Sequence, residues 1–147
     1  MITYYTKEGE FKVTDIVYIP WQKLHRLDGP AVIYSSGVKK WFKEGKCHRL
    51  DGPAITDCFG KKEWYINGRK HRLDGPAIID LFGDKKWWVN GKLHRLDGPA
   101  IEYFDGRKEW YVNDKKLNTK KVETWIKSNN INLKTKQHQV LFMVMFG

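Results

Sequence analysis

Two kinds of apolar run alternate through the middle of the chain. One is aliphatic, as in residues 77–81. The other consists of a lysine, two aromatic residues and an aliphatic residue in that order, as in residues 86–89. β-Branched and aromatic residues in runs of this length favour strands. A glycine-containing connection at 82–84 joins the two runs, and Asn90-Gly91 follows the second, which is the strongest short hairpin signal. The pattern predicts β-hairpins and leaves no room for a helix between them.

The hairpin pattern recurs with a period of 23 residues. The heptapeptide His-Arg-Leu-Asp-Gly-Pro-Ala occupies residues 25–31, 48–54, 71–77 and 94–100. A fixed period of this length is the signature of a repeat architecture. Residues 25–116 therefore hold four units, and residues 1–24 form a degenerate N-terminal unit or cap, in which Tyr18 precedes Trp41 by one period. We predict an all-β protein built as a single antiparallel β-hairpin repeat solenoid, with the glycine of each Asp-Gly-Pro supplying an unusual backbone φ.

The last 31 residues, 117–147, break the period and predict a small helix-plus-strand cap. Apolar residues spaced as on one helix face predict a helix over 119–128, with Asn118 or Thr119 as its N-cap. The apolar run 140–146 favours a buried strand, with a short helix as the alternative. Solenoids need atypical terminal caps, because open sheet edges are prone to pairing. A partner-binding amphipathic helix is the other interpretation of this segment.

Two aromatic columns follow from the repeat, on opposite faces because neighbouring strand residues alternate. The first column is invariant and is expected to form the core together with Val32, Ile55, Ile78 and Ile101; it comprises Trp41, Trp64, Trp87 and Trp110. The second column varies in identity and comprises Phe42, Tyr65, Trp88 and Tyr111. A single-layer sheet leaves one face open unless the flanking segments cover it, and an exposed apolar stripe marks a binding surface. We predict that the second column forms a partner-binding face with Lys39, Lys40, Lys62 and Lys86.

Charge changes this picture by suggesting the kind of partner. The chain has 147 residues and a formal net charge of +10. The four units carry +3, +2, +1 and 0 in order, so that the positive charge is concentrated in the first half of the array. A positive field favours acidic partners, either an acidic protein surface or nucleic acid, although it also serves solubility.

The chemistry-bearing residues argue for structure rather than catalysis. Equivalent histidines lie two strands apart, about 10 Å, too far to share a zinc ion, and we expect them to pair with the aspartates of their own loops. The repeated arginines are expected to tie each loop to its neighbour. Cys47 and Cys58 show no metal or redox spacing and indicate free thiols in a reducing cytoplasm. We therefore expect no enzyme, no metal, no cofactor and no membrane insertion.

The residues Trp64-Tyr65-Ile66-Asn67-Gly68, followed by His-Arg-x-Asp-Gly-Pro-Ala, resemble the MORN-type β-hairpin repeats. The His-Arg-x-Asp-Gly-Pro-Ala variant is similar to repeat proteins encoded by bacteriophages and large DNA viruses, over roughly residues 17–116. The resemblance implies a non-enzymatic viral accessory protein that binds a host protein in the host cytoplasm. Such a protein would act as a host-defence inhibitor by blocking its partner. The alternative is a nucleic-acid or nucleotide binder, because aromatic side chains interleaved with lysine suit stacked bases.

Overall fold

The computed structural model describes residues 1–13 and 20–147. These residues form short strands followed by two helices. In chain order the elements are β1 (Ile2–Thr6), β2 (Gly9–Val13), a 3-10 turn (Trp21–Lys23), β3 (Val32–Tyr34), β4 (Lys39–Lys40), β5 (Phe42–Lys43), β6 (Lys46–Cys47), β7 (Ile55–Thr56), β8 (Lys62–Glu63), β9 (Tyr65–Ile66), β10 (Arg69–Lys70), β11 (Ile78–Ile79), β12 (Lys85–Lys86), β13 (Trp88–Val89), β14 (Lys92–Leu93), β15 (Ile101–Glu102), β16 (Lys108–Glu109), β17 (Tyr111–Val112), β18 (Lys115–Lys116), α1 (Thr119–Ser128) and α2 (Lys136–Phe146). The predicted all-β hairpin repeat is confirmed.

Each unit contributes two hairpins rather than one. The strand predicted over 86–89 is interrupted at Trp87, where the chain leaves one partner and joins another. The Trp87 N–H donates to the carbonyl of Ala100 in the next unit (2.8 Å), and its carbonyl accepts from the N–H of His94 (3.1 Å). Trp87 thus joins a first hairpin, β11–β12, to a second, β13–β14.

The two kinds of hairpin form two rows. The first hairpins and the N-terminal β1–β2 hairpin pair into one ten-stranded antiparallel sheet, which we call the large sheet. The second hairpins are joined to one another by single backbone hydrogen bonds, such as Gly91 N–H to the Lys70 carbonyl (2.8 Å) and Arg72 N–H to the Trp88 carbonyl (3.0 Å). We call this set of second hairpins the hairpin row.

The Asn-Gly prediction is confirmed by the backbone of the hairpin row. Asn67 and Gly68 have φ values of 50° and 79°, and Asn90 and Gly91 have 52° and 80°. Positive φ at both central residues defines the type I′ turn that matches the twist of paired strands. The first and last copies achieve the same turn with less suitable residues, Glu44 (φ 50°) in place of asparagine and Asp114 (φ 69°) in place of glycine.

The N-terminal segment extends the repeat at one end. β1 lies between β2 and β3, with Tyr4 opposite both Phe11 and Val32. The carbonyl of Leu24 accepts a hydrogen bond from the Gly45 N–H (2.9 Å). The carbonyl of Cys47, one period later, accepts the equivalent hydrogen bond from the following unit. Tyr18, which the period aligns with Trp41, lies outside the described residues.

The innermost residues of the array are the alanines that close each heptapeptide, not the tryptophans. Ala31, Ala54, Ala77 and Ala100 are fully buried. Trp110 is 5 % exposed, but the other three tryptophans of its column are only half-buried. The aliphatic column does not join them, contrary to expectation. Ile78 lies directly opposite Lys86 and Glu63, the chain neighbours of the tryptophans, and therefore faces the other side of the sheet.

Both terminal helices pack against the fourth unit. α1 matches the prediction, and the Asn118 side chain caps it by accepting from the Lys121 N–H (2.9 Å). The strand predicted over 140–146 is wrong, since these residues lie in α2. A helix places Phe142 and Phe146 four residues apart on one face, so both reach Trp125. Within the part of the chain that the structure describes, neither helix is long and apolar enough to cross a membrane.

Candidate partner-binding surfaces

The repeated arginine organises its own loop and also ties it to the preceding unit, on whose aromatic residue it stacks. Arg72 donates from Nε to Asp74 Oδ1 (2.8 Å) and from Nη1 to the Pro76 carbonyl (3.3 Å). Its guanidinium carbon lies 4.1 Å from the ring centroid of Trp64. The other loops repeat this cation–π stack, with Arg26 over Tyr5 at 3.9 Å, Arg49 over Trp41 at 4.2 Å and Arg95 over Trp87 at 3.8 Å. The arginine column is therefore already engaged, and it also holds the pKa of Asp74 below its usual value.

The glycine of each Asp-Gly-Pro provides space rather than an unusual backbone conformation. Gly75 is not among the residues with positive φ, contrary to the sequence interpretation. A Cβ built on Gly75 would lie 3.0 Å from Cζ of Arg72 and 3.2 Å from its Nε. The same approach occurs at Gly29, Gly52 and Gly98. Glycine is thus required because the guanidinium passes over the backbone on its way to the tryptophan.

The repeated histidines support the type I′ turns and do not pair with the loop aspartates as expected. Nδ1 of His71 accepts from the backbone N–H of Asn90 (3.1 Å), and Nδ1 of His48 accepts from that of Asn67 (3.1 Å). The same Nδ1 atoms lie 2.9 Å from the Oδ1 atoms of these asparagines, in contacts whose direction depends on the imidazole tautomer. Nδ1 of His94 accepts from the Asn113 N–H, and burial lowers the pKa of His94. The histidine column is consequently a structural element of the hairpin row.

The predicted second aromatic column is half-buried, and its two tyrosine hydroxyls are hydrogen-bonded, whereas the buried Nε1 of Trp88 has no hydrogen-bond partner among the described residues. The Tyr65 hydroxyl donates to Glu63 Oε2 (2.8 Å), while Lys61 Nζ lies 2.6 Å from the other carboxylate oxygen. Burial alone would raise the pKa of Glu63, but these hydrogen bonds bring it below its usual value. Burial also raises the pKa of the nearby Cys47 thiol to about 12, which keeps it protonated and unreactive.

The other three aromatics of this column are also covered in part. Lys70 Nζ lies 4.8 Å from the ring centroid of Trp88, and the Tyr111 hydroxyl donates to Glu109 Oε2 (2.9 Å). Phe42 packs against the buried cluster of Leu24, Ala31 and Val32. The rings of this column are therefore partly covered and do not form a row of fully open stacking platforms.

The structure does not bring the four predicted lysines to one surface. Lys40 and Lys86 lie opposite Val32 and Ile78 and are half-buried. Lys39 and Lys62 are exposed and, as chain neighbours of Lys40 and Glu63, point to the opposite face. Neighbouring residues of a strand point to opposite faces, so the alternation that separates the two aromatic columns also places these lysines on two different faces.

A column of exposed lysines emerges instead on the large sheet, at a 23-residue spacing that the sequence already shows. Its members, which we call the lysine column, are Lys39, Lys62, Lys85 and Lys108. Successive members lie two strands apart, about 10 Å. Thr56 and Ile79 separate the first three, whereas Glu102 lies opposite both Lys85 and Lys108. Among the described side chains, no carboxylate forms an ion pair with Lys39, Lys62 or Lys85.

A second surface that sequence reasoning missed lies at the His-Arg-Leu-Asp-Gly-Pro loops. Leu27, Leu50 and Leu73 are 75 %, 80 % and 79 % exposed. Grooves of about 570, 720 and 680 Å³ run between successive loops, each with a tryptophan of the invariant column in its wall. The sequence signal for this surface is a leucine that lies between two charged residues in an irregular segment and not in a strand.

Within residues 1–13 and 20–147, no three His, Cys, Asp or Glu side chains lie close enough together to hold a metal ion. The exposed groups that recur at the period of the repeat include lysines of the large sheet and leucines of the loops. Their function has to be argued from this geometry, because no family model, no curated protein and no solved structure matches this chain.

Proposed function

We propose that this chain is a non-enzymatic binding protein, and that the lysine column binds an acidic segment of another protein. The observation that carries the proposal is the row of exposed lysines on the large sheet, Lys39, Lys62 and Lys85, none of which forms an ion pair with a described carboxylate. Such a row concentrates positive potential along one line and attracts an acidic partner. The loop arginines and histidines contribute stability to this scaffold, since their polar atoms are used within the array.

The spacing of the column favours an extended acidic segment. Lysines about 10 Å apart match every third residue of a polyproline II segment, which rises about 3.1 Å per residue and returns to the same side every three residues. A segment with Asp or Glu at every third position could therefore meet Lys39, Lys62 and Lys85 in turn. The column loses strength towards its last members, because Glu102 lies opposite both Lys85 and Lys108, so binding should be strongest at Lys39 and Lys62.

A protein partner is favoured over nucleic acid by the state of the aromatic side chains. Binding of single strands relies on exposed aromatic faces on which bases stack. Tyr65 and Tyr111 are half-buried and hydrogen-bonded to glutamates, and Lys70 lies over the Trp88 ring. Phe42, Tyr65, Trp88 and Tyr111 stay a predicted second contact, which a Tyr65→Ala, Trp88→Ala variant examines. The resemblance to viral repeat proteins makes a host protein, in the host cytoplasm, the expected partner.

The proposal is tested by affinity capture from host-cell lysate with and without nuclease, followed by mass spectrometry. The bait is the full chain and its Lys39→Glu, Lys62→Glu, Lys85→Glu variant. A matched control reverses three exposed lysines of the cap, Lys120, Lys127 and Lys136. We expect an acidic protein, captured despite nuclease, by the wild type and the control but not by the lysine-column variant. Capture that survives in the lysine-column variant, or that nuclease abolishes, would contradict the proposal.

A further inference from the structure

The fourth loop differs from the other three because the cap covers it. Leu96 packs against the cluster that contains Phe142 and Leu133. Asp97 Oδ2 accepts from Lys134 Nζ at 2.8 Å, and the hydrogen bonds from Lys134 and Arg95 outweigh burial and lower the pKa of Asp97. The structure thus contains one example of what this loop binds, namely an apolar helix accompanied by a lysine.

The remaining loops present the same groups without a cover. The distance from arginine Nε to aspartate Oδ1 is 2.8 Å in each of the first three loops and 2.6 Å in the fourth. Asp28, Asp51 and Asp74 have side chains 83 %, 81 % and 83 % exposed. Since the arginine and aspartate on either side are fixed, each intervening leucine is held outward. The loop recognised by the cap is therefore displayed three more times in the same conformation.

The spacing of the open loops matches an α-helix laid along them. Equivalent loops are two strands apart, about 10 Å, and seven residues of an α-helix rise about 10.5 Å. A helix running along the array would meet the three open loops with side chains at i, i+7 and i+14. The surface also continues onto the cap, where Val140 and Val144 of α2 are 62 % and 82 % exposed beside Leu96.

We propose that the open loops, with Leu27-Asp28, Leu50-Asp51 and Leu73-Asp74, dock an amphipathic helix of another protein. This helix carries an apolar residue and a lysine or arginine at seven-residue intervals. The apolar side chains enter the grooves between loops, and the cations meet the exposed aspartates, as Lys134 meets Asp97. The surface uses different residues and the opposite charge from the lysine column, so the inference does not depend on the proposed function.

The test is calorimetric titration of the full chain with a designed helical peptide of about 22 residues, long enough to span three loops. The peptide carries leucine and lysine on one face at seven-residue intervals. A peptide of the same composition with five-residue intervals is the control. We expect saturable binding of the first peptide only. Equal binding of both peptides, or of neither, overturns the proposal.

Variants of the chain locate the peptide. Leu50→Ser with Leu73→Ser should weaken binding about tenfold or more, because two apolar contacts are removed. Leu81→Ser, at an exposed leucine of a hairpin turn, should leave binding unchanged. All these residues are exposed, so unchanged melting temperatures verify that the variants are folded. Binding that is insensitive to the Leu50 and Leu73 changes would place the peptide elsewhere and overturn the proposal.

The charge contact has its own readout. Asp51→Asn with Asp74→Asn keeps a side-chain oxygen for the arginine Nε but removes the negative charge. This variant should bind the lysine peptide with severalfold lower affinity than the wild type. Its affinity for a more weakly binding peptide that has glutamine in place of lysine should be unchanged. Equal effects on both peptides would refute the charge contact. Sedimentation that shows the chain alone dimerising, with dimers lost in the Leu50 and Leu73 variant, would assign the surface to a second copy instead.

Discussion

Replacing Gly75 by alanine should destabilise the protein only while Arg72 is present. The new Cβ would lie 3.0 Å from the Arg72 guanidinium carbon, closer than a carbon–carbon contact allows. Gly75 does not have positive φ, so the backbone itself accepts alanine. The guanidinium must therefore shift by a few tenths of an ångström, which disturbs its stack on the Trp64 ring and its hydrogen bond to the Pro76 carbonyl.

The expected magnitude follows from the contacts that the arginine gives up. A partly desolvated cation–π stack contributes about 1 kcal/mol. The hydrogen bond to the Pro76 carbonyl contributes about 1 kcal/mol more. Alanine reduces the conformational entropy of the unfolded chain, which offsets about 0.5 kcal/mol. The free energy of unfolding should fall by about 1.5 kcal/mol in Gly75→Ala.

Urea denaturation of four proteins, the wild type, Gly75→Ala, Arg72→Ala and the double variant, measures the coupling. In the Arg72→Ala background, Gly75→Ala should be neutral or stabilise by about 0.5 kcal/mol, because no guanidinium remains to be displaced. The coupling free energy should then be about 2 kcal/mol. An equal loss in both backgrounds would show that the backbone needs glycine, which would refute the reasoning.

Three further outcomes follow from the turns of the hairpin row. Glu44→Asn should raise the free energy of unfolding by about 0.5–1 kcal/mol in urea titrations, because asparagine tolerates a φ of 50°. A lower free energy of unfolding in this variant would contradict the prediction. Gly45→Ala and Gly68→Ala should both destabilise, but Gly45→Ala by about 2 kcal/mol more, since its Cβ would lie 2.8 Å from Gln22 Cα. Equal losses would show that the contact with Gln22 is unimportant. Burial lowers the pKa of His94, so the wild type should lose stability as the pH falls below the ordinary histidine pKa of about 6.5, and the loss should level off below the pKa of the folded state. The His94→Gln variant should lose less stability over the same pH range. Parallel pH profiles of the two proteins in thermal melts would contradict this.

The parts of the fold that depend on local sequence could be predicted. The period and the Asn67-Gly68 turn follow from residues adjacent in the chain, and so does the cap of α1 at Asn118. The interruption at Trp87 could not, because residues 86–89 are a continuous strand-forming run and the break is imposed by pairing with Ala100 and His94. The apolar run in α2 was ambiguous for the same reason: only its packing against Trp125 decides between strand and helix.

Tertiary contacts also explain what was missed at the surfaces. An Asp-Gly-Pro segment normally marks a turn, and nothing near Gly75 in the sequence shows that Arg72 folds back over it. Lys62 and Lys85 recur at the repeat period, so their column was readable. The prediction instead combined exposed and half-buried lysines, although residues 39 and 40 of one strand cannot share a face.

The most direct test of the central claim is lysine footprinting of the full chain with the captured acidic protein. Brief acetylation followed by mass spectrometry compares the modification of each lysine in the free and bound chain. The account predicts that Lys39, Lys62 and Lys85 become protected by the partner, while exposed Lys120 and Lys127 of α1 react at the same rate as before. Protection confined to α1, or unchanged acetylation of the lysine column in a saturated complex, would contradict the claim that this column is the binding surface.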